Sequence, residues 1–203
     1  MCGFCGKLDK NSLCNKCKIR IQKNAIYKTE DYKETSSYFD EHIYLFQYDE
    51  EIRDAIIKFK FNEKSYFYRT FLEIIKNNEK ICTQIKKYDI IMPIPISKKR
   101  MKQRGYNQSA LIAKNIAKML NIDYKDNILV KIKNNKPQSE LGQSERSKNV
   151  KGVYKLKGPR KKNKKKILLI DDIFTTGSTA NECAKVLKED NAIGVGIFTI
   201  AKD

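Results

Sequence analysis

A chain of 203 residues, 40% of them hydrophobic, has room for one α/β domain and a small appendage. Its 42 Lys+Arg against 24 Asp+Glu leave a net charge of +18, which favours polyanionic partners such as nucleic acid or crowded phosphates. No run approaches the ~18 apolar residues that span a bilayer, and the opening MCGFCGKLDK lacks the layout of a secretory signal. A cytoplasmic protein without membrane insertion is expected.

Residues 1–20 carry Cys2, Cys5, Cys14 and Cys17 as C-x2-C-x8-C-x2-C. Each CxxC turn brings two thiolates to one point, and two turns complete a tetrahedron around one structural Zn2+. Such a knuckle is too small to hold a core without its ion. Residues 21–41 are polar with interspersed tyrosines and read as a linker, leaving 42–203 for the main domain. Residues 42–48 form a strand rich in β-branched and aromatic side chains. Ile52, Ala55, Ile56 and Phe59 mark a helix face, and 66–75 a second helix. Residues 89–96 form a buried strand ended by prolines. Lys98, Lys99, Arg100, Lys102 and Arg104 follow, then a helix capped by Asn107 with Ile112, Ile116, Met119 and Leu120 inward.

Residues 127–132 read as another strand, 133–149 as a long loop without apolar periodicity, and 150–156 as one arm of a hairpin. Eight Lys/Arg in the twelve positions 155–166 make a solvated hairpin tip or a nucleic-acid contact. Cys82 and Cys183 read as packing residues.

The chemistry concentrates in 167–179. Four aliphatics make a buried strand; Asp171 and Asp172 follow, where the strand is expected to leave the core and face solvent. Thr175, Thr176, Gly177, Ser178 and Thr179 then open a helix with Ala180, Cys183, Ala184 and Leu187 on one face. Hydroxyls, a glycine and free N–H groups at a helix N-terminus suit a phosphate, and adjacent acids suit a ribose diol or Mg2+. Both parts together should recognise a phosphorylated sugar. Residues 192–201 supply a closing strand. Strands alternating with helices make an α/β, doubly wound, mostly parallel sheet with sites at its C-terminal edge.

The run DD-x2-TTGST resembles the phosphoribosyl pyrophosphate (PRPP) signature of type I phosphoribosyltransferases. A longer series surrounds it: the paired CxxC turns, Tyr48-Asp49 with Arg53, Lys58-Phe59-Lys60, then Pro93-Ile94-Pro95-Ile96 and Arg104-Gly105-Tyr106-Asn107-Gln108. Pro137-Gln138, Leu141, Arg146, Asn149-Val150 and Gly152 come before the acid pair. This order resembles the ComF family, competence-associated proteins that join a zinc finger to a phosphoribosyltransferase domain.

The resemblance implies the type I phosphoribosyltransferase fold with an N-terminal zinc knuckle. It implies that Asp171 and Asp172 face the ribose hydroxyls and, with Arg146, form the catalytic set. Thr175, Thr176, Gly177, Ser178 and Thr179 would wrap the 5′-phosphate. Ser97, Lys98 and Arg104 would meet the pyrophosphate beside Mg2+, and 133–149 would close over the site. It further implies binding of single-stranded DNA and processing of incoming DNA during natural transformation, with uptake machinery of the helicase type as a partner. Tyr27, Tyr32 and Tyr38 are candidates to stack on bases. The alternative is an active transferase of nucleobase salvage, for which no aromatic–acid pattern of a base pocket is present.

Overall fold

Alternate residues of one apolar run are buried on opposite sides, which a sheet with helices on both faces requires. Leu168 and Ile170 join one core cluster while Ile167 and Leu169 join the other. The computed structural model describes residues 2–61, 67–133, 149–158 and 164–203. Its elements are α1 (Asn15–Asn24), β1 (Lys28–Asp31), β2 (Glu41–Gln47), α2 (Glu50–Phe61), α3 (Tyr68–Lys76), α4 (Glu79–Ile85), β3 (Ile90–Pro93), α5 (Lys98–Arg104), α6 (Gln108–Leu120), β4 (Asp123–Tyr124), β5 (Leu129–Lys131), β6 (Tyr154–Leu156), β7 (Lys166–Phe174), α7 (Ser178–Glu189) and β8 (Gly194–Lys202).

The six-stranded sheet runs β1-β2-β8-β7-β3-β4 and is parallel except for the edge pair β1–β2. Helices α2, α3 and α6 cover one face through Ile56, Phe59, Phe71, Ile75, Ile112 and Ile116. Helix α7 covers the other through Ala180, Cys183, Ala184 and Leu187, as its periodicity predicts. Strands β5 and β6 form a separate antiparallel pair with Lys131 opposite Tyr154.

Two expectations change. The stretch 21–41 is not all linker: α1 runs through its first residues, and β1 pairs antiparallel with β2 as the sheet edge. The short polar segment KTED is a strand because it is paired, not because of its propensity. The strand expected at 192–201 forms as β8, which lies between β2 and β7 and is buried along almost its whole length. The acid pair does not follow the strand but lies within β7, which continues to Phe174.

The cysteine knuckle is built into the main core. Cys2, Leu13, Cys17 and Ile21 share the hydrophobic cluster of α2 and α3, and Phe4 meets the ring of Phe71 edge-on at 6.4 Å. Gly3 lies so close to α3 that a Cβ there would sit 2.4 Å from Thr70 Oγ1. That hydroxyl donates to the Ser12 carbonyl at 2.9 Å. Arg20 pairs with Glu51 of α2.

Candidate functional site

The site opens because two neighbouring strands end at different heights. Strand β3 pairs with β7 only as far as Pro93 opposite Ile170, and its chain then turns away through Pro95. On the other side β8 accompanies β7 to Phe174. Residues 171–174 therefore have a free flank, and a cleft of about 500 Å3 lies there. Ligand sites at the carboxyl ends of parallel strands form in this way.

The two acids in that flank are held differently. Asp171 Oδ1 accepts from Ser109 Oγ and from the Asp172 backbone N–H, both at 2.9 Å. Burial and the adjacent Asp172 charge push Asp171 up, against the opposing pull of Lys60 and Ser109. Asp172 is buried and forms an ion pair with Lys60 Nζ at 2.9 Å. Neither acid is the freely solvated edge group that the sequence predicts, because helices α2 and α6 reach over the strand end.

The segment Arg104 to Gln108 explains this arrangement. Tyr106 OH donates to the Phe59 carbonyl, and Gln108 Nε2 donates to the Lys60 carbonyl at 3.4 Å. Asn107 Nδ2 donates to the Ile94 carbonyl at 3.0 Å while its Oδ1 caps α6 by accepting from Ser109 N. These bonds tie the ends of α2 and β3 to the first turn of α6, where Ser109 holds Asp171. The capping role expected for Asn107 is observed.

The TTGST loop turns β7 into α7. Gly177 has φ +70° and caps α7 without a side-chain hydrogen bond, and the first N–H of the helix, that of Ser178, donates to Thr176 Oγ1 at 3.4 Å. Thr175, Gly177, Ser178 and Thr179 line the cleft with both acids; Thr176 lines a second cleft behind the loop, its hydroxyl 2.8 Å from that of Ser178. A Cβ on Gly177 would stand 2.5 Å from Phe174 Cζ. Gly177→Ala should cost about 1–2 kcal/mol from the left-handed backbone alone, with more from the clash. A urea midpoint equal to that of the wild type would contradict this geometry.

Of the residues expected at a pyrophosphate, Arg104 lines the cleft. Ser97 instead caps α5, its Oγ accepting from Arg100 N at 3.3 Å, and Lys98 is exposed; neither lines the cleft. Arg100 does, four residues before Arg104 and on the same side of α5. Reading KKRMKQR as a helix would have found this pair. Lys60, Ser109, Lys131 and Tyr154 also line the cleft; only Lys60 belongs to a segment that the sequence singles out, and none of the four is legible there as a site residue. Arg146, most of 133–149 and residues 159–163 of the basic run lie outside the described residues.

The knuckle meets the test for a metal. The Sγ atoms of Cys2, Cys5, Cys14 and Cys17 lie within 4.8 Å of one another, with Cys5 and Cys14 at 3.7 Å. A tetrahedral site with Zn–S bonds of about 2.3 Å needs sulfur–sulfur edges of about 3.8 Å. The four thiols can hold a zinc ion.

Of the three tyrosines, Tyr32 is packed inward on Phe39 at 4.7 Å and bonded to Glu30, whereas Tyr38 is exposed beneath Lys185. Among the described residues, Lys98, Lys99, Arg100 and Lys102 have no carboxylate within 4.0 Å, unlike Lys60, Lys188 and Lys202. No helix among the described residues is long and apolar enough to cross a membrane.

A mostly parallel sheet with an acid pair and a TTGST turn at the end of a central strand defines the type I phosphoribosyltransferase fold, here carrying a four-cysteine N-terminal cluster. The chain is a homologue, along its full length, of the ComF-type competence proteins. It is 27% identical to competence protein F of Haemophilus influenzae over 207 residues, covering 100% of this chain and 90% of that protein. It is 28% identical to competence protein ComFC of Bacillus subtilis over 215 residues, covering 100% and 78%. The DNA utilization protein YhgH of Escherichia coli is 26% identical over 114 residues, 56% of this chain and 49% of that one. Among solved structures, an adenine phosphoribosyltransferase from Thermoanaerobacter pseudethanolicus aligns with 91% of this chain and 99% of its own, at TM-score 0.43 and 10% identity. A phosphoribosylpyrophosphate synthetase from Mycobacterium smegmatis aligns with 61% of this chain and 32% of its own, at TM-score 0.39 and 16% identity. No protein-family profile matches the chain.

Proposed function

We propose that this protein binds PRPP with Mg2+ in the cleft at the end of β7 and single-stranded DNA on the basic surface beside it. It would act in the cytoplasm on incoming DNA during natural transformation, in contact with helicase-type uptake machinery. The supporting observation is that one cleft gathers Asp171, Asp172, Thr175, Gly177, Ser178, Thr179 and two arginines. The loop amides and hydroxyls suit the 5′-phosphate, and Asp171 suits the ribose diol. Arg100 and Arg104 suit the pyrophosphate, in place of the Ser97 and Lys98 expected from sequence. Bound Mg2+ would neutralise charge on that leaving group, and Arg146 remains the cation proposed from the adjoining segment. One zinc held by the four cysteines would be structural.

Helix α5 lies at the cleft with five cations in seven residues, no acid and no buried residue, and is the proposed path for the DNA strand. Calorimetric titration with PRPP and Mg2+ tests the first part: about one site per chain is expected, and no binding overturns it. Anisotropy of a labelled single strand over a salt series tests the second. Replacing Lys98, Lys99 and Lys102 with glutamine should flatten the log–log salt slope by roughly 2. An unchanged slope would move the DNA path elsewhere. Pyrophosphate release on mixing with each nucleobase would instead favour the salvage reading.

A further inference from the structure

Lys131 is a half-buried ammonium that forms no ion pair among the described residues. It projects from β5 into the cleft, opposite Tyr154 of β6 in the hairpin register, with Nζ 5.6 Å from the centre of that ring. No carboxylate among the described residues lies within 4.0 Å of it, whereas the partly buried Lys60, Lys188 and Lys202 each meet one at 3.0 Å or less. The tyrosine face offsets part of the cost of removing the charge from water, and the Asp171 charge a further part. Burial and the nearby Arg100 charge lower Lys131 to about 8, so it is still mainly an ammonium at neutral pH. Tyr154 is itself buried and shares a hydrogen bond with the Thr179 side chain, which fixes the hairpin to the phosphate loop.

We propose that the β5–β6 hairpin forms an anion subsite, in which Lys131, braced on Tyr154, takes the carboxylate or phosphate of a second ligand. This deepens the PRPP reading: with Arg100 and Arg104 occupied by pyrophosphate, the cation across from them selects the acceptor. An acceptor bearing a negative group is preferred over a neutral base. The charge comes from one of two sources, a carboxylated free base or the phosphate of a nucleic-acid end.

Two matched probe pairs test this by calorimetry, with and without PRPP and Mg2+: orotate against uracil, and a 5′-phosphorylated thymidine dinucleotide against its unphosphorylated form. The wild type should prefer the charged member of one pair at least tenfold, and which pair responds identifies the source. Lys131→Met, which keeps the stem packed on Tyr154, should reduce that preference below twofold, and Lys131→Arg should retain it. No preference in the wild type, or one that survives in Lys131→Met, overturns the subsite. If PRPP itself fails to bind, the cleft reading falls, while a Lys131-dependent preference measured without it still stands.

Discussion

If the cleft binds PRPP as proposed, Asp171→Asn should lower affinity for PRPP and Mg2+ by about 10- to 100-fold and at the same time raise the melting temperature at neutral pH. The loss follows from removing a charged acceptor, whose hydrogen bonds are worth about 1.5–3 kcal/mol. The gain follows from the position of the carboxylate: burial and the Asp172 charge disfavour its ionised form. For an acid whose folded pKa is raised, stability is greatest when the group is protonated and falls as pH rises through the folded value. The advantage of the Asp171→Asn variant over the wild type should therefore grow as pH rises from 3.8 to about 7 and vanish at lower pH. The amide still accepts from Ser109, so the fold need not rearrange. Asp172→Asn should do the reverse, leaving Lys60 without its partner at 2.9 Å and costing about 3 kcal/mol. Calorimetry and thermal melts on the two variants check both signs. If both leave stability unchanged, the acids are solvent-exposed groups after all; if Asp171→Asn keeps full affinity, the ligand lies elsewhere.

Stripping the zinc proposed for the cysteine knuckle should destabilise the whole domain rather than release a loose N-terminal tab. Zinc contributes about 10–16 kcal/mol to the folding of zinc-finger peptides. If only a quarter of that reached the global fold, about 3 kcal/mol, the melting temperature would fall by roughly 6–12 °C. The route is through packing: Cys2, Leu13 and Cys17 belong to the core of α2 and α3, and Gly3 sits against Thr70. Helix α2 also joins the two ends of the molecule, pairing Glu51 with Arg20 and Lys60 with Asp172. Chelation should therefore weaken PRPP binding as well, and Cys5→Ser should reproduce both effects. A chelator that removes about one zinc per chain while leaving the melting curve intact would refute this coupling.

The parts of the site legible in the sequence are those that are contiguous. Asp171, Asp172 and Thr175 to Thr179 lie within nine positions, and four aliphatics before them specify a buried strand. The cysteine spacing is equally local, and the structure brings all four thiols together. Arg104 is legible but Arg100 is not, because the basic run signals charge more plainly than helical phase. Lys60 and Ser109 fall in or beside the Lys58–Lys60 and Arg104–Gln108 segments, but with Lys131 and Tyr154 they stand 17 to 111 positions from Asp171, and nothing in the sequence ties them to the acids.

By itself, then, the chain's order of residues determined a strand–acid–loop–helix unit, a four-thiol knuckle and a surface drawn to polyanions, since each depends on near neighbours or on composition. Only the tertiary structure decided that the acids differ, one bonded to Ser109 and raised, the other paired with Lys60. Solvation and Coulomb energy depend on which distant groups are packed nearby. The packing of α2 and α6 over the strand end, tied together by Tyr106 and Gln108, decided that.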